Sequence, residues 1–149
     1  MNVEVNVRER VLKPVNQVFA AIINPEQMKH YFISGASGPM RVGSHVEWQF
    51  ADVSAKVLVD VLEVEQNRKI AFEWAACGDK TRVTFDLTAD DRNTTVVVVK
   101  EASFPLDEEG VKRALGQNAG WTDTLCCLKA YPQFGINLRA GLNKKLTDV

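Results

Sequence analysis

Apolar and polar residues alternate from the start of the chain, with Val3, Val5 and Val7 on one side and Asn2, Glu4, Asn6 and Arg8 on the other. A period of two marks a strand with one buried face. The same register carries Glu9 to the buried side, where it is either a strand-end residue reaching solvent or a polar group at the mouth of a cavity. At Pro14 the period changes. Val15, Val18, Phe19, Ile22 and Ile23 recur at helical spacing until Asn24-Pro25 interrupts them. Asn24 suits an N-cap with Pro25 in the first helical position, so a second short helix is predicted, with Met28, Tyr31 and Phe32 as its apolar contacts.

Residues 34–43, SGASGPMRVG, read as a flexible connection. They lack the lysine and the preceding parallel strand of a phosphate-binding loop. A lid role for this loop is an open alternative. Strands then follow in succession: Val46, Trp48 and Phe50 alternate with polar neighbours, and Ala55 to Glu65 is a long strand apolar on both faces in its middle. Ile70, Phe72 and Trp74, then Val83, Phe85 and Leu87, alternate again, and Thr94 to Lys100 is a Val-rich strand. Short polar turns separate them, which implies antiparallel neighbours in a meander.

The longest helical pattern is Glu108 to Tyr131. At 100° per residue, Val111, Ala114, Leu115, Asn118, Trp121, Thr122, Leu125 and Leu128 share one broad face, which is predicted to be the core side. Lys112, Arg113, Gly116, Gly120, Asp123 and Cys127 fall opposite, with Cys126 nearer the core. Pro132 and Gly135 are expected to stop this helix and leave 132–149 as a polar tail. A meander of six or seven twisted strands coils, and its concave side must be filled. The long helix, about 36 Å at 1.5 Å per residue, is the element that can fill it. The expectation is an α+β fold in one domain over 1–149, with a curved antiparallel sheet wrapped on a C-terminal helix and two short helices after the first strand.

Composition narrows the partners. A formal net charge of −1 over 149 residues offers no polybasic footprint, which disfavours nucleic acid and anionic membrane. The amino terminus, MNVEVNVRERV, lacks the apolar run that a signal peptide or a membrane span would need. Cys77, Cys126 and Cys127 are odd in number and two are neighbours on a helix, so a disulfide framework is disfavoured and a cytoplasmic protein is expected. His30 and His45 have no companions at metal-ligand spacing, and neither a metal nor a cofactor is expected. No G-x-S-x-G or other nucleophile arrangement is present.

PVNQVFAAIINPEQMKHYF at 14–32, VLEVEQNRKIAFEW at 61–74, the strand ending TTVVVVK and GWTDTLCCLKAY at 120–131 together resemble the START-like (SRPBCC) superfamily. Within it they are most similar to the family named after the activator of the heat-shock-protein-90 ATPase. Tyr31 or Phe32 stands where that family usually has a tryptophan. The resemblance implies the helix-grip fold and a cavity between sheet and long helix. Most of the aromatic set is expected to be core, each ring worth roughly 1.5–3 kcal/mol of burial; the remainder would wall an apolar pocket.

The candidate ligand-binding set is Trp48, Phe50, Phe72, Trp74, Phe85, Asn118, Trp121, Thr122, Leu125 and Glu9, with a small hydrophobic molecule as the expected ligand and no catalytic residue assigned. Asn118 and Thr122 also have a plainer reading, with Thr122 bonding back to its own helix carbonyl and Asn118 reaching a strand end. Two alternatives stand beside the binding module: a co-chaperone-like partner of a heat-shock-protein-90-type ATPase, and a cyclase or dehydratase in which Glu9 would move a proton. Gly116 and Gly120 form a G-x-x-x-G that is either tolerated in a packed helix or marks a homodimer seam or a covering tail.

Overall fold

The computed structural model describes residues 1–141, apart from the side chains of 53–55. In chain order the elements are β1 (Asn2–Val11), α1 (Val15–Ile23), α2 (Pro25–Met28), β2 (Gly35–Ala36), β3 (His45–Phe50), β4 (Val53–Glu65), β5 (Lys69–Trp74), β6 (Thr81–Asp91), β7 (Thr94–Pro105) and α3 (Glu108–Phe134). The seven strands form one antiparallel sheet in the order β1-β7-β6-β5-β4-β3-β2. It is a meander whose first strand closes against its last. The expected α+β helix-grip architecture is what the chain adopts.

Local chemistry sets the element boundaries. Asn24 caps α2 by accepting from the Glu26 N–H at 3.0 Å, with Pro25 at the first helical position. The connection after α2 is more ordered than its glycines suggest. Gly35 and Ala36 pair with Gln49 and Trp48 as a short edge strand, and Met40 is buried. Tyr31 lies wholly inside and donates its hydroxyl to the Ala21 carbonyl at 2.8 Å. Burial drives its phenol far above the ordinary range, with the neighbouring Tyr131 adding to the shift.

α3 begins at Asp107, whose carboxylate accepts from the Gly110 N–H at 2.7 Å. It runs three residues past Tyr131 with Pro132 inside its last turn, because Gly135, at φ 68°, rather than the proline ends it. The helix packs across β1 and β7. Its buried residues are Gly110, Ala114, Trp121, Thr124, Leu125, Cys127, Leu128 and Ala130. The predicted face is therefore rotated: Leu115, Asn118 and Thr122 are exposed, and the two neighbouring cysteines exchange places, Cys127 buried and Cys126 exposed. The side facing the sheet carries polar groups, Gln117 and Thr124, that bond inside, so counting apolar residues displaced it.

Gly116 and Gly120 have open space where a Cβ would stand. Alanine is the better helix former and loses less chain entropy on folding. Gly116→Ala is expected to stabilise the protein by about 0.5–1 kcal/mol in urea unfolding. A loss of stability instead would show that something approaches that face in solution.

Candidate functional site

Strand alternation continues through β7 one residue beyond its valines. Thr95, Val97 and Val99 point inward, and so does Glu101, which is completely buried. Four neutral groups donate to its carboxylate. Trp121 Nε1 at 2.7 Å and Gln117 Nε2 at 2.9 Å reach Oε1, while Thr81 Oγ1 at 2.5 Å and Trp74 Nε1 at 2.9 Å reach Oε2. Four donors and no acceptor are the complement of a carboxylate. Because a buried polar group without partners is costly, this set fixes two indoles, one from β5 and one from α3, in a single orientation.

Around that anchor the rings interlock. Trp74 and Trp121 stack with centroids 5.4 Å apart and planes 29° apart, Phe85 meets Trp121 edge-on at 5.4 Å, and Trp48 meets Phe72 edge-on at 5.3 Å. Such offset and edge contacts are the favoured geometries for aromatic quadrupoles. They fill most of the space between sheet and helix. What stays open is a cleft of about 270 Å³ at one end, lined by Phe32, Phe50, Val57, Trp74, Trp121 and Thr124, with Asp52, Ala76, Gln117, Gly120 and Arg139 completing it. Asp52, Ala76 and Gly120 are exposed at its rim.

Arg139 arrives from beyond the helix. After Gly135 turns the chain, the segment runs back along α3 to Thr124, about 15 Å from the helix end at 1.5 Å per residue. There the guanidinium lies 5.8 Å from the Phe32 ring centre, 3.3 Å from Thr124 Oγ1 and 3.5 Å from Asp123 Oδ2. Its Nε is buried with no partner among the described residues. Arg139 also lies against Cys127, whose thiol is pushed up by burial and by Asp123 while Arg139 pulls the other way. Part of the polar tail thus becomes a wall of the cleft; residues 142–149 lie outside the described residues.

Of the ten sequence candidates, Phe50, Trp74 and Trp121 line the cleft. Trp48, Phe72, Phe85 and Leu125 are buried within the core. Asn118 and Thr122 point to solvent, and the Thr122 hydroxyl donates to the Asn118 carbonyl at 2.7 Å. Glu9 is half-buried and faces Lys129 Nζ at 3.4 Å, outside the cleft lining. None of residues 34–43 lines the cleft. His45 is exposed with Nδ1 2.6 Å from Asp60 Oδ1, and hydrogen bonds from His45 and Lys80 hold the Asp60 carboxyl below its usual range. His30 stacks on Tyr131.

Sequence reasoning missed Glu101, Gln117 and Arg139. The signal for Glu101 was present: extending the alternation of Val97 and Val99 by one step puts a carboxylate on the inner face. Arg139 carries no comparable signal, since its position depends on how the chain reverses at Gly135.

A long helix gripped by a curved antiparallel meander, with a helix pair after the first strand, defines a helix-grip domain. The chain belongs to the family described as activator of Hsp90 ATPase homolog 1-like proteins, whose sequence profile matches residues 13–133. Among solved structures it is similar to the protein SSP2350 from Staphylococcus saprophyticus, at 29% identity and a TM-score of 0.81, covering 92% of this chain and 96% of that one. It is also similar to DynU16, a protein in the dynemicin biosynthetic locus, at 24% identity and a TM-score of 0.79, covering 90% of this chain and 48% of that one. The Aha1 dimer from Colwellia psychrerythraea shares the fold at 19% identity and a TM-score of 0.77, covering 89% of this chain and 98% of that one. No match was found among curated protein sequences. Among the described residues, no helix is long and apolar enough to cross a membrane.

Proposed function

We propose that this protein is a binding module that takes a small, mostly apolar molecule into the cleft between the sheet and α3 and does not transform it. The observation that carries the reading is the cleft itself. In a core otherwise closed by interlocking rings, about 270 Å³ stays open and is walled by Phe32, Phe50, Trp74 and Trp121. Two of these walls, Trp74 and Trp121, are held from behind by Glu101, so they need little ordering when a ligand enters. The volume falls just under the range of roughly 300–1,000 Å³ usual for ligand pockets, which favours a compact molecule over a long acyl chain.

Native mass spectrometry of the purified protein and intrinsic tryptophan fluorescence titrations with compact apolar and aromatic compounds test this. Gly120 stands at the rim with free space around it, so Gly120→Leu should block the cleft while keeping or raising the melting temperature. Saturable binding lost in Gly120→Leu is the expected result. Binding that survives the substitution, or no binding to wild type at all, removes the proposal.

A further inference from the structure

The binding reading leaves open what chemistry the cleft prefers, and its electrostatics are not those of a neutral apolar pocket. Phe32, Phe50, Trp74 and Trp121 each contribute an aromatic ring to its walls. Two of those rings are polarised from behind, since both indole N–H groups donate to the Glu101 carboxylate. A hydrogen bond to an anion shifts electron density into the donor's ring, and the face of that ring becomes a better partner for positive charge. Asp52 adds an acidic group at the rim, and Asp123 adds one beside Arg139.

The molecule already places a cation there. Arg139 holds its guanidinium over Phe32, with a 3.5 Å approach to exposed Asp123, a 3.3 Å contact with Thr124 and the Cys127 thiol beside it, while its Nε pairs with nothing described. These contacts are long for charge-assisted hydrogen bonds, which run about 2.7–2.9 Å. An unpartnered guanidinium nitrogen also suits an anionic ligand. Asp52, Asp123 and Glu101 oppose that alternative, because Arg139 is the one cationic group among the described lining residues.

Resting on the binding reading, we infer that the cleft selects a compact organic cation of the quaternary-ammonium class, and that Arg139 is an internal occupant which such a ligand displaces. A methyl-rich ammonium presents an apolar surface to the rings and carries its charge without hydrogen-bond donors. It therefore needs no polar partner that the cleft lacks. Displacing Arg139 frees Asp123 and leaves a second carboxylate beside the bound charge.

The test compares three molecules of one shape: choline, the neutral alcohol in which a tert-butyl group replaces the trimethylammonium, and tert-butylacetate as the anion. Binding is followed through the indole N–H resonances of isotope-labelled protein. The expected result is choline bound about tenfold tighter than its neutral counterpart, as a cation–π preference of this size implies. Arg139→Gln should tighten choline by more than it tightens the neutral alcohol, because it removes both the occupant and a like charge. Asp52→Asn, an exposed substitution, should weaken choline alone.

Choline and the neutral alcohol binding equally, or Arg139→Gln failing to tighten choline, overturns the cation inference while leaving the binding module intact. The anion binding best, and being lost in Arg139→Gln, overturns it in favour of an anion site. None of the three binding to wild type or to Arg139→Gln overturns the cation inference; the wider ligand titrations, with Gly120→Leu as their control, then decide the binding module separately.

Discussion

Glu101→Gln will destabilise the protein by about 3 kcal/mol, although it changes only an oxygen to a nitrogen. The reason is the arrangement of donors. Trp74 and Thr81 meet one carboxylate oxygen, Gln117 and Trp121 the other. An amide replaces one of those oxygens by an NH₂. If it faces Thr81 and Trp74, the hydroxyl can reverse and accept, but the Trp74 indole cannot. If it faces Gln117 and Trp121, the Gln117 amide can flip, but the Trp121 indole cannot. Either way one buried N–H is left against another. Glu101→Leu removes both acceptors and should cost more, about 5 kcal/mol. Urea unfolding of the two variants measures both costs, and an effect below about 0.5 kcal/mol for Glu101→Gln would mean that the carboxylate does not organise this core.

Gly110→Ala will destabilise by about 3 kcal/mol, whereas the same change at Gly116 stabilises. A Cβ on Gly110 would stand 1.9 Å from the Pro105 carbonyl oxygen and 2.8 Å from its carbon. Both are backbone atoms at the end of β7, so no side chain can swing aside. To make room, the first turn of α3 must lift away from the strand, which also strains the Asp107 cap on the Gly110 N–H. Losing that cap alone is worth about 1 kcal/mol, so Asp107→Ala separates the two contributions. Chemical denaturation of Gly110→Ala, Gly116→Ala and Asp107→Ala in parallel gives the comparison; an unchanged midpoint for Gly110→Ala would contradict the close approach.

The architecture was readable because its signals are local and repeated. Period-two alternation in Val3 to Val7, Trp48 to Phe50 and Ile70 to Trp74 places strands, and Asn24-Pro25 places a helix start, without reference to the rest of the molecule. The site was only half readable for a matching reason. Trp74, Trp121 and Phe50 are large and apolar, and any reading of the core finds them. A helical wheel turns Asn118 and Thr122 inward because it reads polarity only as a label for solvent or pocket. Here the inward polar residue is Gln117, one position earlier, and what turns it inward is a carboxylate sixteen residues back on another element. The Val-rich pattern that marks this strand stops at Lys100, one residue short of the carboxylate. A buried charge is recognised only when its donors are known, and those donors lie on β5, β6 and α3.

The family's profile ends at residue 133, yet the positive charge in the cleft belongs to residue 139. The scaffold and one charged wall of the cleft therefore come from different parts of the polypeptide. A substitution at Arg139 alters the charge of the cleft wall at a position that belongs to no strand.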